Sequence, residues 1–191
     1  MAQSEARGVR ALTGYVAMLR GINVAGRKPI PMERLRASFE ALGFTHVRTY
    51  VQSGNVVFKA APKPAATLAR LIEERIAGDF GFAVSVLLKT AGELNEIMES
   101  NPFLEDQAID RSKLHVTFLS KPARAPANSL DALVVKPERL HIKGRAIYLY
   151  CPNGYGRTKL SNNALEKKLS AVATTRNWRT VAALLAMARE D

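Results

Sequence analysis

Thiols are nearly absent from this chain. One cysteine, Cys151, occurs in 191 residues. That excludes an internal disulfide and any thiolate zinc cluster, and it fits a reducing compartment. Histidine is almost as scarce. His46, His115 and His141 fall on or beside expected strands with no His-x-x-x-His or His-x-x-Glu spacing, so neither a metal nor a resident cofactor is expected. No stretch approaches the run of about 18 apolar residues that would indicate a membrane span, and Met1–Gly14 carries no apolar signal region. The expectation is a soluble, cytoplasmic protein without membrane association. Nucleophile signals are thin as well. No Gly-x-Ser-x-Gly elbow occurs, Ser53 has no identifiable base, and Cys151 reads as a packed core thiol.

Acids are the other shortage. Asp and Glu number 17 against 28 Lys and Arg, a formal charge of +11 with pI ≈ 10.1. Such a balance favours acidic partners: nucleic acid, phosphorylated small molecules or an acidic protein. Residues 139–179 concentrate it. They hold Arg139, Lys143, Arg145, Arg157, Lys159, Lys167, Lys168, Arg176 and Arg179 against one acid, Glu166, with Tyr148, Tyr150, Tyr155 and Trp178 interleaved. Basic charge with aromatics is the composition of a nucleic-acid surface; a solvated basic face over core aromatics has the same composition. The run Lys143–Tyr150 begins like the third strand of an RNA-recognition domain, but its third and fifth positions are Arg145 and Ile147, so the stacking aromatics are missing.

Periodicity gives the element order. The chain opens with an N-terminal extension, 1–14, then the strand Tyr15–Leu19. An amphipathic helix, Met32–Leu42, follows and is stopped by Gly43. Strands Val47–Gln52 and Asn55–Lys59 flank Ser53-Gly54. A helix over Ala66–Ile76, a strand over Phe82–Leu88 and a helix over Ala91–Glu99 complete the first half, the last opened by the capping box Thr90/Glu93. After an acidic connector, 101–112, the order recurs. Leu114–Leu119 is a strand, Ser129–Leu133 a short helix, and Arg139–Ile142 and Ala146–Tyr150 are strands. Asn163 with Glu166 opens a helix over Ala164–Leu169, Ala171–Thr174 is a short strand, and Asn177–Ala188 is the final helix. The predicted class is α+β, two tandem ferredoxin-like βαββαβ units with additional helices, over 15–100 and 113–191. Apolar residues on both parities of several strands predict sheets covered on both faces, by the other unit or by another chain, so a homo-oligomer stays open.

This topology places a candidate site. A right-handed crossover makes the first two strands parallel, so their C-terminal ends share one sheet edge. That edge carries the turn Arg20–Lys28 and the turn Gln52–Asn55. Arg20, Arg27 and Lys28 supply cations. Asn23, Gln52 and Asn55 supply amides, Ser53 a hydroxyl, and Gly21, Gly26 and Gly54 backbone N–H groups that an anion could meet. The first turn misses a phosphate-binding Walker A loop, because its lysine is displaced by one and no Ser or Thr follows. A second candidate anion site comprises Arg157, Lys159, Arg176, Asn177 and Arg179, the last three at the N-terminus of the final helix. There Thr174 or Thr175 would serve as a plain N-cap.

Five blocks in order carry a resemblance: Leu19–Gly26, Ile30-Pro31-Met32, Arg48–Phe58, Thr158–Asn162 and Thr174–Thr180. Together they resemble a mostly bacterial family, domain-of-unknown-function family 1697, over about Tyr15–Ala188. The resemblance implies a tandem ferredoxin-like α+β protein and brings no catalytic residue with it. Ala25 stands where the family usually has Gly, which puts a positive φ at that position in question. Thr158 stands where Ser is common. The functional expectation is a noncatalytic binder of a phosphate-bearing ligand, nucleotide or nucleic acid. The alternatives are a small-molecule enzyme that orients an anionic substrate through Arg20 and Asn23, and a structural partner-binding module.

Overall fold

The computed structural model describes residues 11–124 and 127–190. The expected extension therefore lies outside the described residues as far as residue 10. Its last two positions, Thr13 and Gly14, already belong to the first strand. The first half runs β1 (Thr13–Leu19), α1 (Met32–Glu40), β2 (Thr45–Tyr50), β3 (Asn55–Ala60), α2 (Ala65–Phe80), β4 (Val86–Thr90) and α3 (Ala91–Glu99). The second runs β5 (Leu114–Leu119), a 3₁₀ segment at Ala127–Leu133, β6 (Arg139–Lys143), β7 (Ala146–Tyr150), α4 (Asn162–Leu169), β8 (Ala173–Asn177) and α5 (Trp178–Arg189). The fold is mixed α+β: two antiparallel four-stranded sheets, ordered β2-β3-β1-β4 and β6-β7-β5-β8, with five α-helices among the described residues.

Strand parity distributes the core. Tyr15, Ala17 and Leu19 of β1 and Val56 and Phe58 of β3 face α1 and α2, where Phe39, Phe44 and Phe58 pack ring against ring. The alternate residues Val16, Met18 and Val57 face the middle of the molecule. They meet Leu114, Val116, Phe118 and Tyr148 of the second sheet and Leu94, Val181 and Leu184 of α3 and α5. On the far side of the second sheet, Ile147, Leu149 and Cys151 pack on Leu165 and Leu169 of α4. Both sheets are thus covered on both faces within one chain. The connector 101–112 contributes to the central layer, burying Phe103 and Ile109.

Several local readings shift. The capping box at Thr90 and Glu93 forms as the spacing predicts, with Glu93 N–H donating to Thr90 Oγ1 and Thr90 N–H to the Glu93 carboxylate. α2 runs through Gly78 and stops at Gly81 in the left-handed conformation, because glycine weakens a helix interior without forbidding it. α4 is capped by Ser161, whose hydroxyl accepts from Ala164 N–H, in place of Asn163. α5 is capped by Asn177, which accepts from Thr180 N–H at 2.8 Å. Thr174 and Thr175 lie inside β8, which begins two residues later than its sequence pattern predicts.

A cleft beside the first turn

The two turns meet. Asn23 makes the junction: its Nδ2 donates to Gln52 O at 3.0 Å and to Ile30 O at 2.9 Å, while its Oδ1 accepts from Ile30 N–H at 2.8 Å. Those bonds spend its amide on holding the turns. Within the first turn, Arg27 N–H donates to Val24 O and Asn23 N–H to Lys28 O. Non-glycine residues here take left-handed backbone: Asn23 at φ 53°, Ala25 at 48° and Lys28 at 46°, with Val51 of the second turn at 49°. Ala25 therefore adopts the conformation that glycine would take more cheaply. Each such residue costs about 1–2 kcal/mol, and strain of this kind gathers at ligand sites.

Arg20 does not point free into solvent. Its Nε donates to Glu166 Oε1 at 3.0 Å and its Nη2 to Glu166 Oε2 at 3.2 Å and Asn163 Oδ1. Glu166 Oε1 also accepts from Ala173 N–H at 2.9 Å. Glu166, expected as a capping partner, thus ties α4 and β8 to the end of β1. Arg20 keeps its Nη1 group without a hydrogen-bond partner among the described residues.

Around this pair opens a cleft of about 920 Å3. One wall is the first turn, with Arg20, Val24, Ala25, Arg27 and Lys28, extended by Ser85 just before β4. Arg20 N–H donates to Ser85 O, which holds that edge in place. The other wall comes from α4 and the entry to β8: Asn163, Glu166, Ser170, Ala171 and Val172. Arg27 and Lys28 are exposed, and Lys28 Nζ is steadied by Ala83 O. Of the first predicted set, Arg20, Gly21, Arg27 and Lys28 line the cleft. Gln52, Ser53, Gly54 and Asn55 are not among its lining residues. Gln52 and Ser53 are exposed, whereas Gly54 and Asn55 are buried.

The second predicted set divides. Arg157, Lys159 and Arg179 are exposed. Arg176 is buried and reaches the first sheet. Its Nε donates to Asn55 Oδ1, its Nη2 to Leu19 O and Ser53 O, each at 3.0 Å, and its Nη1 to Thr174 Oγ1 and Thr175 O. All five guanidinium N–H groups are satisfied. Burial pulls its pKa down to about 10; nearby Tyr155 opposes that and Arg20 adds to it. The group stays charged near neutrality. Beside it, Tyr155 OH donates to Thr175 Oγ1, which bonds Asn162 Oδ1 in turn. The aromatics of the basic stretch are packed into the protein: Tyr148 is buried with its hydroxyl on Ile97 O, and Tyr150 and Trp178 pack on the central core.

Sequence reasoning missed the second wall. Asn163 and Glu166 were visible only as helix-start residues, and Ser85 and Ser170 gave no signal. The burial of Arg176 had one available clue: period-2 alternation in β8 puts Thr174 and Arg176 on the inner face. Among the described residues, no cluster of His, Cys, Asp and Glu could hold a metal, and no helix is long and apolar enough to cross a membrane.

No curated protein matches this chain. Among solved structures, it is similar to the conserved bacterial protein SP0830 from Streptococcus pneumoniae, with 23% identity, a TM-score of 0.71 and coverage of 94% of this chain and 100% of that one. That likeness is one of fold. The family model described as "Protein of unknown function (DUF1697)" matches residues 12–148, and the chain belongs to that family.

Proposed function

We propose that the cleft binds a small phosphate-bearing ligand without transforming it. The observation that supports this most is the first turn itself: a strained loop that presents exposed Arg27 and Lys28, with the spare Nη1 of Arg20, along one wall of a cleft of about 920 Å3. That volume falls within the range of about 300–1,000 Å3 common for small-molecule sites. Cations on a concave wall attract phosphate more strongly than the same cations on an open surface. Glu166 does not defeat the reading, since Arg20 and Ala173 N–H already neutralise it.

The same reading treats each half as a ferredoxin-like βαββαβ unit, over 15–100 and 113–191, joined by 101–112. The supporting facts are the two matching sheet orders and the helices between their strands. The cleft then lies between units. A buried, unpaired thiol supports a cytoplasmic location.

Calorimetric titration with inorganic phosphate tests the binding. The expected result is saturable binding that weakens as salt rises and drops at least about tenfold in an Arg27→Ala/Lys28→Ala variant, from the loss of two charge-assisted contacts. Binding unchanged in that variant, or none, overturns the reading.

A further inference from the structure

Resting on that phosphate reading, we infer that the ligand is a phosphomonoester of a polyhydroxylated small molecule, in the manner of a sugar phosphate, and that a nucleobase plays no part in its recognition. The two walls of the cleft differ in chemistry. The first is cationic, through Arg27 and Lys28. The second carries no cation; it offers the Asn163 amide, the Glu166 carboxylate and the Ser170 hydroxyl. Asn163 Oδ1 is taken by Arg20, but its Nδ2 and the Ser170 hydroxyl have no partner among the described residues. Glu166 accepts three hydrogen bonds and retains acceptor capacity.

A ligand spanning the cleft thus meets a phosphate-seeking wall on one side and paired donors and acceptors on the other. Hydroxyl groups, each both donor and acceptor, match the second wall. A flat base does not, because no aromatic side chain lines either wall among the described residues and stacking is the sequence-tolerant way of holding bases.

Calorimetry with D-ribose 5-phosphate, AMP and inorganic phosphate decides, since AMP adds a base to nearly the same phosphosugar. Ribose 5-phosphate should bind at least about fivefold tighter than inorganic phosphate, the return on one or two neutral hydrogen bonds. AMP should bind no tighter than ribose 5-phosphate. In a Ser170→Ala variant, the preference for ribose 5-phosphate over inorganic phosphate should shrink at least about twofold, while the affinity for inorganic phosphate itself should change less than about twofold. That loss of preference separates ligand contact from general loosening of the fold. If AMP binds tenfold tighter than ribose 5-phosphate, a base is recognised and the inference falls. If inorganic phosphate binds as tightly as the sugar phosphate, the inference falls while the phosphate site stands. If none of the three binds, both fall together.

Discussion

Arg176 donates its Nε–H to Oδ1 of Asn55 across 121 residues of sequence, and both side chains are buried. The bond lies among four others from the same guanidinium, one to Leu19 O at the end of β1 and one to Ser53 O in the second turn. Asn55 is held in turn, donating from Nδ2 to Tyr50 O and Ser53 Oγ. One cation without a carboxylate partner therefore fixes the second turn, the end of β1 and the end of β8 in a single arrangement.

Removing that cation should be costly. Arg176→Met leaves Leu19 O, Ser53 O and Asn55 Oδ1 without their donor, and the expected loss is about 3–5 kcal/mol. Urea unfolding reads it directly. A double-mutant cycle with Asn55→Ala should give a coupling of about 1.5–3 kcal/mol. A loss below about 1 kcal/mol would show that solvent replaces these bonds and that the latch is incidental.

The second turn yields a steric prediction. Gly54 has φ 76°, and a Cβ there would lie 2.8 Å from Ile22 Cδ1 and 2.9 Å from Leu19 Cβ. Gly54→Ala combines left-handed strain with overpacking and should destabilise by about 2–4 kcal/mol. Gly26→Ala is the control. Its φ is 73° but nothing lies within 4 Å of the added atom, so about 1 kcal/mol is expected. Equal effects in thermal melts would contradict the packing around Gly54.

Cys151 supplies a pH test. Burial, aided by the Glu138 carboxylate and opposed by a contact from Thr158, raises its thiol from 9.0 to about 11. A raised acid contributes stability that is fully present below its unfolded value and is lost as pH climbs towards the folded one. The stability curve should therefore fall between about pH 9 and about pH 11, and Cys151→Ala should flatten that stretch. In the native protein at about pH 8 the thiol should resist a disulfide reagent that modifies the unfolded chain at once. Rapid native reaction would place Cys151 at the surface.

Much of the architecture was legible because its signals are local. The capping box at Thr90 and Glu93 fixes α3, and alternation fixes β5 and β7, at the ends that the sequence gives them. The meeting of the two turns followed from the handedness of one crossover. What was not legible depends on distance. Asn163-x-x-Glu166 has the spacing of a helix start, yet Glu166 serves Arg20, 146 residues away. Arg176 and Arg179 look alike in a basic run, and only folding buries one and exposes the other. Charge composition cannot make that distinction, since it depends on the element that carries each residue, β8 for Arg176 and α5 for Arg179, and on the face it presents.

The central claim is phosphate binding in the cleft, and an amide-resolved NMR titration with inorganic phosphate tests it most directly. The account predicts saturable shifts along the first wall at Gly21, Ala25, Arg27 and Lys28, with the α5 N-terminus at Arg179 and Thr180 unmoved. Shifts confined to Arg157, Lys159 and Arg179, or none anywhere, would contradict it.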